Sequence, residues 1–241
     1  CSTGASGPKS ALRRRVKKHR HFGADFQASC WGLHGEALSG PRAIFGCHQA
    51  LDGGALLLSW NDRETKFESR KLQYPGYPDA PNRTSVLAGH PDSPYVVGQW
   101  GTFAFPNNFY DGLVRISPTA TEITDADTLE LGSVYCSFGF ERSRGELVAA
   151  LTRNGELHVV DVERWLVGGS VRVLPDLEAE GRCAGAMVLG KGVAYISDTR
   201  GGSIMEVDLA ARTVTRSFSV SGSPGGMALL GMFGIPGEPA H

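Results

Sequence analysis

Two of the five cysteines and two of the seven histidines fall in one short stretch, SCWGLHGEALSGPRAIFGCH at 29–48, together with Glu36. Thiols, imidazoles and a carboxylate this close admit several chemistries. Cys30 and Cys47 fit a disulfide in an exported protein, a pair of thiolate ligands for zinc, or two buried unpaired thiols. His34 and Glu36 form a His-x-Glu pair, which on a strand puts both side chains on one face. With His48 or His90 they would offer the neutral imidazoles and the carboxylate that zinc takes. Asp198 is a further candidate oxygen ligand. The plainer alternative is a hydrogen-bonded His34 in a channel wall beside a solvated Glu36, with Asp198 capping a turn.

No catalytic set accompanies these groups. There is no G-x-S-x-G elbow, H-E-x-x-H helix, phosphate-binding loop or dinucleotide fingerprint. Glu36, Glu141 and Asp198 do not share one register, so a carboxylate ring around a metal in a hydrolase channel is only weakly indicated. His158, inside ELHVVDV, is expected to face solvent. His19 and His21 flank Arg20 in a basic leader.

The elements that must position these residues read as β-strands. Short apolar runs alternate with Gly, Asn and Asp turns, and no long 3.6-residue pattern appears. Turns recur in register: Asp-Gly-Gly before ALLLSW, Asp-Gly before LVRIS, Asn-Gly before ELHVVDV and Gly-Gly before SIMEVDL. Taking Gly54, Gly112, Gly155 and Gly202 as equivalent, the spacings are 58, 43 and 47 residues. A repeat of this length with a hairpin in its middle is a propeller blade. The fold class is therefore all-β, a β-propeller of four-stranded antiparallel blades. The blades are expected at about 29–75, 83–131, 133–175 and 184–220, with a spare strand at 224–230 and TEIT at 121–124 as the outer strand of the second blade. Four blades suggest an incomplete ring, with apolar blade faces left exposed. The long first spacing reflects an insertion around 101–110.

Blade register groups the candidates. Cys30, Cys136 and Cys183 sit at or near the start of inner strands. Cys47–His48, Gln99–Trp100 and Asp198 sit at the ends of second strands, on the same rim. With a turn near Ser39–Gly40, Cys30 pairs with His48 and Trp31 with Cys47, give or take one residue. His34 and His90 are expected at equivalent places toward the far end of the first strand.

Charge is unevenly distributed. The first 21 residues hold seven Lys/Arg and no acid, leaving a net charge of −8 on the remainder. Residues 1–22 lack apolar periodicity and are read as a disordered leader. An acidic body argues against nucleic acid as a partner, and no apolar run reaches the length of a transmembrane helix. The small, flexible start CSTGASG would suit a lipid anchor on Cys1, or the chain is a fragment.

The phrase SCWGLHGEA followed by FGCHQALDGGALLL resembles the periplasmic zinc metallochaperones of the AztD type, over roughly residues 22 to 230. The resemblance implies a single-domain β-propeller, with zinc as cargo and the solute-binding protein of a zinc ABC transporter as partner. It implies a periplasmic or exported location and no covalent chemistry. An oxidising compartment also favours a Cys30–Cys47 disulfide over thiolate ligation. The chain lacks the family's amino-terminal half and its His-rich acidic segment. On this reading the metal residues are His34 and His48, then His90, Glu36 and Asp198. Two other readings stand beside it. One is a protein-interaction propeller whose contact is the aromatic insertion Trp100–Tyr110. The other is a metal-dependent propeller hydrolase.

Overall fold

The computed structural model describes residues 30, 33–47, 53–75, 84, 86–104 and 107–229. They form four antiparallel sheets, each a four-strand meander in sequence order with no crossover. Blade 1 is β1 (Leu33–Ser39), β2 (Arg42–Cys47), β3 (Gly54–Asn61) and β4 (Lys66–Leu72). Blade 2 is β5 (Leu87–Gly89), β6 (Val96–Ala104), β7 (Asn107–Ile116) and β8 (Thr128–Glu130). Blade 3 is β9 (Tyr135–Phe140), β10 (Leu147–Thr152), β11 (Glu156–Asp161) and β12 (Leu166–Arg172). Blade 4 is β13 (Met187–Leu189), β14 (Val193–Asp198), β15 (Ser203–Asp208) and β16 (Thr213–Ser219).

Why the middle strands read as unbroken apolar runs is now clear. Successive side chains on a strand point to opposite faces, and both faces of an inner blade are covered by neighbours. Val96 and Val114 enter the core shared with blade 1, whereas Val97 and Leu113 enter the one shared with blade 3. A third core, including Leu151, Leu157, Ile196 and Val207, joins blades 3 and 4. The outermost strand β16 is exposed along its whole length, which explains its polar sequence. The ring is not closed, and Leu38 on blade 1 and Phe218 on blade 4 are exposed.

Blades are also latched together by polar groups. The Arg115 guanidinium of blade 2 donates to the carbonyls of Val162 (3.0 Å) and Glu163 (2.7 Å) in blade 3. It lies over the rings of Tyr95 and Trp165, adding cation–π attraction to two hydrogen bonds. The residue after the third inner strand, Glu141, is buried and reaches blade 4, accepting the Gly192 N–H at 2.6 Å.

Three sequence expectations need correction. The outer strand of blade 2 is β8, not 121–124. Thr124 instead begins a short 3₁₀ turn. The Asp127 carboxylate accepts from the Thr124 N–H and hydroxyl, each at 3.0 Å, while Ile123 drops into the blade 1–blade 2 core. Among the described residues, 224–229 make no strand. The insertion at 101–110 is no separate loop: β6 and β7 run on as one long hairpin past a bulge at Gly101. Trp100 and Tyr110, at its base, are buried and cannot serve as exposed anchors.

The Asn154–Gly155 turn shows how strictly the blade repeat uses glycine. Gly155 has φ +82°, and its carbonyl accepts from the N–H groups of Val173 and Leu174. A Cβ there would stand 2.0 Å from the Leu174 carbonyl oxygen. Gly155→Ala combines a left-handed backbone penalty with a backbone clash. It should cost at least about 2 kcal/mol in urea denaturation; a loss within about 0.5 kcal/mol of zero would refute this.

Candidate functional site

One rim gathers the starts of inner strands and the ends of second strands. Cys30 and Cys47 are joined there by a disulfide, with Cα atoms 5.2 Å apart. The bridge ties the chain entering blade 1 to the last residue of β2. A second disulfide joins Cys136 on β9 to Cys183, just before β13, with Cα atoms 5.6 Å apart. It crosses from blade 3 to blade 4. Sequence register placed Cys136 and Cys183 at the starts of successive inner strands but did not pair them. Successive inner strands are neighbours around the channel, and that is the signal that could have paired them. Thiolate ligation by these four cysteines is thereby removed.

His34 lies at this rim too, which corrects its expected place at the far end of β1. It pairs with Gly46, one residue from the bridged Cys47, because the tight turn falls at Gly40–Pro41 and Leu33, not Trp31, pairs with Cys47. The His-x-Glu reading also changes. Gly35 has φ +63° and forms a bulge, so that His34 pairs with Gly46 and Glu36 with Phe45. Adjacent rungs project to opposite faces. His34 and Glu36 are both exposed but do not share a face.

His90 lies at the opposite rim, beyond the end of β5, and is not equivalent to His34. It is 9% exposed and wedged against the Phe140 ring and Gly145. Its Nδ1 accepts the Asp92 N–H at 3.1 Å. Asp198 returns to the first rim, at the end of β14, but one carboxylate oxygen accepts the N–H groups of Arg200 (3.0 Å) and Gly201 (2.8 Å). That is the turn-capping role. His48 lies outside the described residues. His158 is buried rather than solvent-facing, with Nε2 3.3 Å from the Thr152 hydroxyl. Among the described residues, no three His, Cys, Asp or Glu side chains converge as a metal site.

Gln99, placed on this rim by sequence register, has a partner there that sequence reading missed, where blades 2 and 3 meet. Gln99 is fully buried, and its side-chain oxygen accepts the Tyr135 hydroxyl. Burial pushes the Tyr135 hydroxyl up, and neighbouring Tyr110 adds to this. Asp111 is raised above the ordinary carboxylate range, chiefly by burial and further by the charges of Glu130 and Glu178. Residues 111, 130 and 178 are too far apart in sequence to signal one patch.

This geometry can be set beside known proteins. No protein-family model matches the chain, and no curated protein matches it. Solved structures do. Apo AztD from Citrobacter koseri aligns over 82% of this chain and 49% of its own, at 24% identity and a TM-score of 0.64. The chain is a β-propeller similar to AztD. A second C. koseri AztD structure gives a TM-score of 0.66 over the same shares at 23% identity. U3-55K aligns over 79% of this chain at 9% identity with a TM-score of 0.52. At these identities the likeness to AztD establishes the fold, and the chain spans about half of AztD's length. Two disulfides fit an extracellular or periplasmic protein. Among the described residues, no helix is long and apolar enough to cross a membrane.

Proposed function

We propose that this chain is a non-enzymatic β-propeller that carries zinc outside the cytoplasm and passes it to the solute-binding protein of a zinc ABC transporter. The observation that carries the reading is the similarity to AztD over 82% of the chain, joined to the Cys-containing phrase of blade 1. With four cysteines oxidised, ligation falls to imidazoles and carboxylates. His34 is exposed on the disulfide rim, where a partner can approach and exchange ligands without releasing free metal. His48 follows the bridged Cys47 in sequence and is the next ligand proposed. Glu36 follows, from the other face of β1. His90 and Asp198 are occupied in a wedge and a turn cap, so they rank below these. Glu141 is a latch residue, which leaves Glu36, Glu141 and Asp198 without the convergence a hydrolase needs.

Zinc must displace protons from imidazoles, so uptake releases protons and weakens in acid. Equilibrium dialysis of the oxidised, metal-free chain should give zinc binding at micromolar free metal. His34→Ala should weaken it at least about tenfold. No uptake at micromolar zinc would overturn the reading for this chain. The second reading, a metal-free interaction propeller, is favoured by the lack of three converging ligands among the described residues. Its contact would be the β6–β7 hairpin beyond the buried Trp100 and Tyr110. Shortening that hairpin would then abolish partner capture without changing zinc uptake.

A further inference from the structure

Arg42 opens β2 and pairs with Ser39 on β1 and Ser59 on β3. By strand alternation it shares a face with Ile44, two residues on, and that face packs toward blade 2. Ile44 fills the core there. Nearer the rim opposite the disulfides, the packing opens into two adjoining clefts of about 350 and 550 Å³. Both are lined by Arg42, Pro118 and Thr119, so the loop after β7 forms their shared far wall. Spaces of this size accept small organic molecules.

The charged groups around the clefts divide into satisfied and unsatisfied ones. Glu68 accepts the Asn61 amide at 2.6 Å, Asp92 lies beside His90 at 3.9 Å, and Arg70 donates to the Pro118 carbonyl at 3.4 Å. Arg42 is half-buried, and among the described residues its guanidinium makes no hydrogen bond or ion pair. None of its nitrogens is buried, so its fork of donors faces the water of the cleft and is open to a bidentate pair with an oxyanion. Hydroxyls of Ser59, Ser69 and Thr119 line the same space and can complete an anion's shell.

We propose that the cleft between blades 1 and 2 binds a small organic carboxylate, held in a bidentate pair by Arg42. Glu68 lies on the Ser59 rung beside Arg42 and offsets the charge of Arg70 in the same cleft, which leaves Arg42 as the uncompensated cation and favours a monoanion over a dianion. Leu57, Tyr95 and several prolines supply apolar wall for the body of the ligand. These features select a monocarboxylate with an apolar body over inorganic phosphate. The site is on the rim opposite the disulfides and does not depend on zinc.

The test is titration of the full oxidised chain with N-acetyl-L-proline, its amide and inorganic phosphate, followed through the Arg side-chain N–H resonances. The carboxylate should bind with Kd of about 1 mM and shift the Arg42 signal. The amide and phosphate should each bind at least about tenfold more weakly. Arg42→Gln should lose about tenfold in affinity, whereas Arg164→Gln, which makes the same charge change at an exposed site, should bind as the native chain does. If Arg42→Gln does not fold, Arg42→Lys keeps the charge without the fork and should also bind about tenfold more weakly. Three results would overturn the proposal: no carboxylate binding at about 10 mM, phosphate binding at least as tightly as the carboxylate, or an Arg42 variant that binds like the native chain.

Discussion

Replacing Cys136 and Cys183 together by serine should lower the stability of the oxidised chain by about 4 kcal/mol, more than any other pair of substitutions proposed here. The bridge closes a segment with a sequence separation of 47 residues, and releasing a loop of that length returns about 4 kcal/mol of chain entropy to the unfolded state at 25 °C. The Cys30–Cys47 bridge, with a separation of 17, should contribute about 3 kcal/mol by the same argument. The ranking is also spatial. Cys30–Cys47 pins one blade to its own entering chain. Cys136–Cys183 holds blade 4 against blade 3, reinforcing the core of Leu151, Leu157, Ile196 and Val207. For a chain of this size the larger loss lowers Tm by on the order of 10 °C. In reductant, amide exchange should accelerate first in β13–β16, because blade 4 then depends on that core and the Glu141 latch to Gly192. A Cys30→Ser/Cys47→Ser variant less stable than the Cys136→Ser/Cys183→Ser one would contradict this account.

Blade architecture was legible because its signals are local. The hairpins between second and third strands of blades 3 and 4 carry Gly where φ must be positive, at Gly155 and Gly202, whereas the last hairpins of blades 1, 3 and 4 reach positive φ at Thr65, Trp165 and Arg212. The middle strands of blades 2 and 3 are rich in apolar residues, because both of their faces meet other blades. What failed was also local, but depended on competing interactions. TEIT has strand composition, yet the Thr124–Asp127 capping box claims its backbone for a turn. Trp100 and Tyr110 look like loop aromatics. Trp100 is buried because it packs into the core between blades 1 and 2 and over Gly112, where a Cβ would collide with its ring.

The candidate site was less legible, since it depends on register. A single bulge at Gly35 separates His34 from Glu36, and moving the turn to Gly40–Pro41 carries His34 to the rim of the disulfide. Neither effect is encoded in residue spacing. The Cys30–Cys47 bridge was readable because hairpin pairing brings both residues to one end of a blade. Cys136–Cys183 needed the arrangement of blades around the channel. Arg42 carried no signal at all: an arginine after Gly-Pro reads as a solvated turn residue until the loop at Pro118 is seen to wall it in.

Glu141→Ala should cost about 3 kcal/mol and abolish part of the chain's acid sensitivity. Its carboxylate is buried at the boundary of blades 3 and 4. It accepts the Ser143 N–H at 2.9 Å, the Ser143 hydroxyl at 2.6 Å and the Gly192 N–H at 2.6 Å. Truncation removes three hydrogen bonds to a charged acceptor, each worth about 1.5–3 kcal/mol, and water reaching the exposed Ser143 and Gly192 offsets part of that loss, leaving about 3 kcal/mol. Burial by itself would raise the carboxyl, but the donors from Ser143, Gly192 and Arg144 outweigh it and hold Glu141 below the ordinary carboxylate range. A group depressed in the folded state stabilises above its unfolded pKa, about 4.3, and that contribution is lost as pH falls through the folded value. His158 acts in a higher window. Burial lowers it, against the opposing charge of Glu156, so its neutral form favours the fold and stability begins to fall as pH drops through about 6.5. Urea denaturation from pH 7 to pH 3 should therefore show two successive losses in the native chain. Glu141→Gln should make the lower one shallower, since Glu180 and Glu206 are also held below the ordinary carboxylate range by their arginine partners, and should keep the upper, because an amide does not titrate yet retains one acceptor oxygen. If Glu141→Gln loses stability between pH 5 and pH 3 as steeply as the native chain, the latch is not the group that responds to acid.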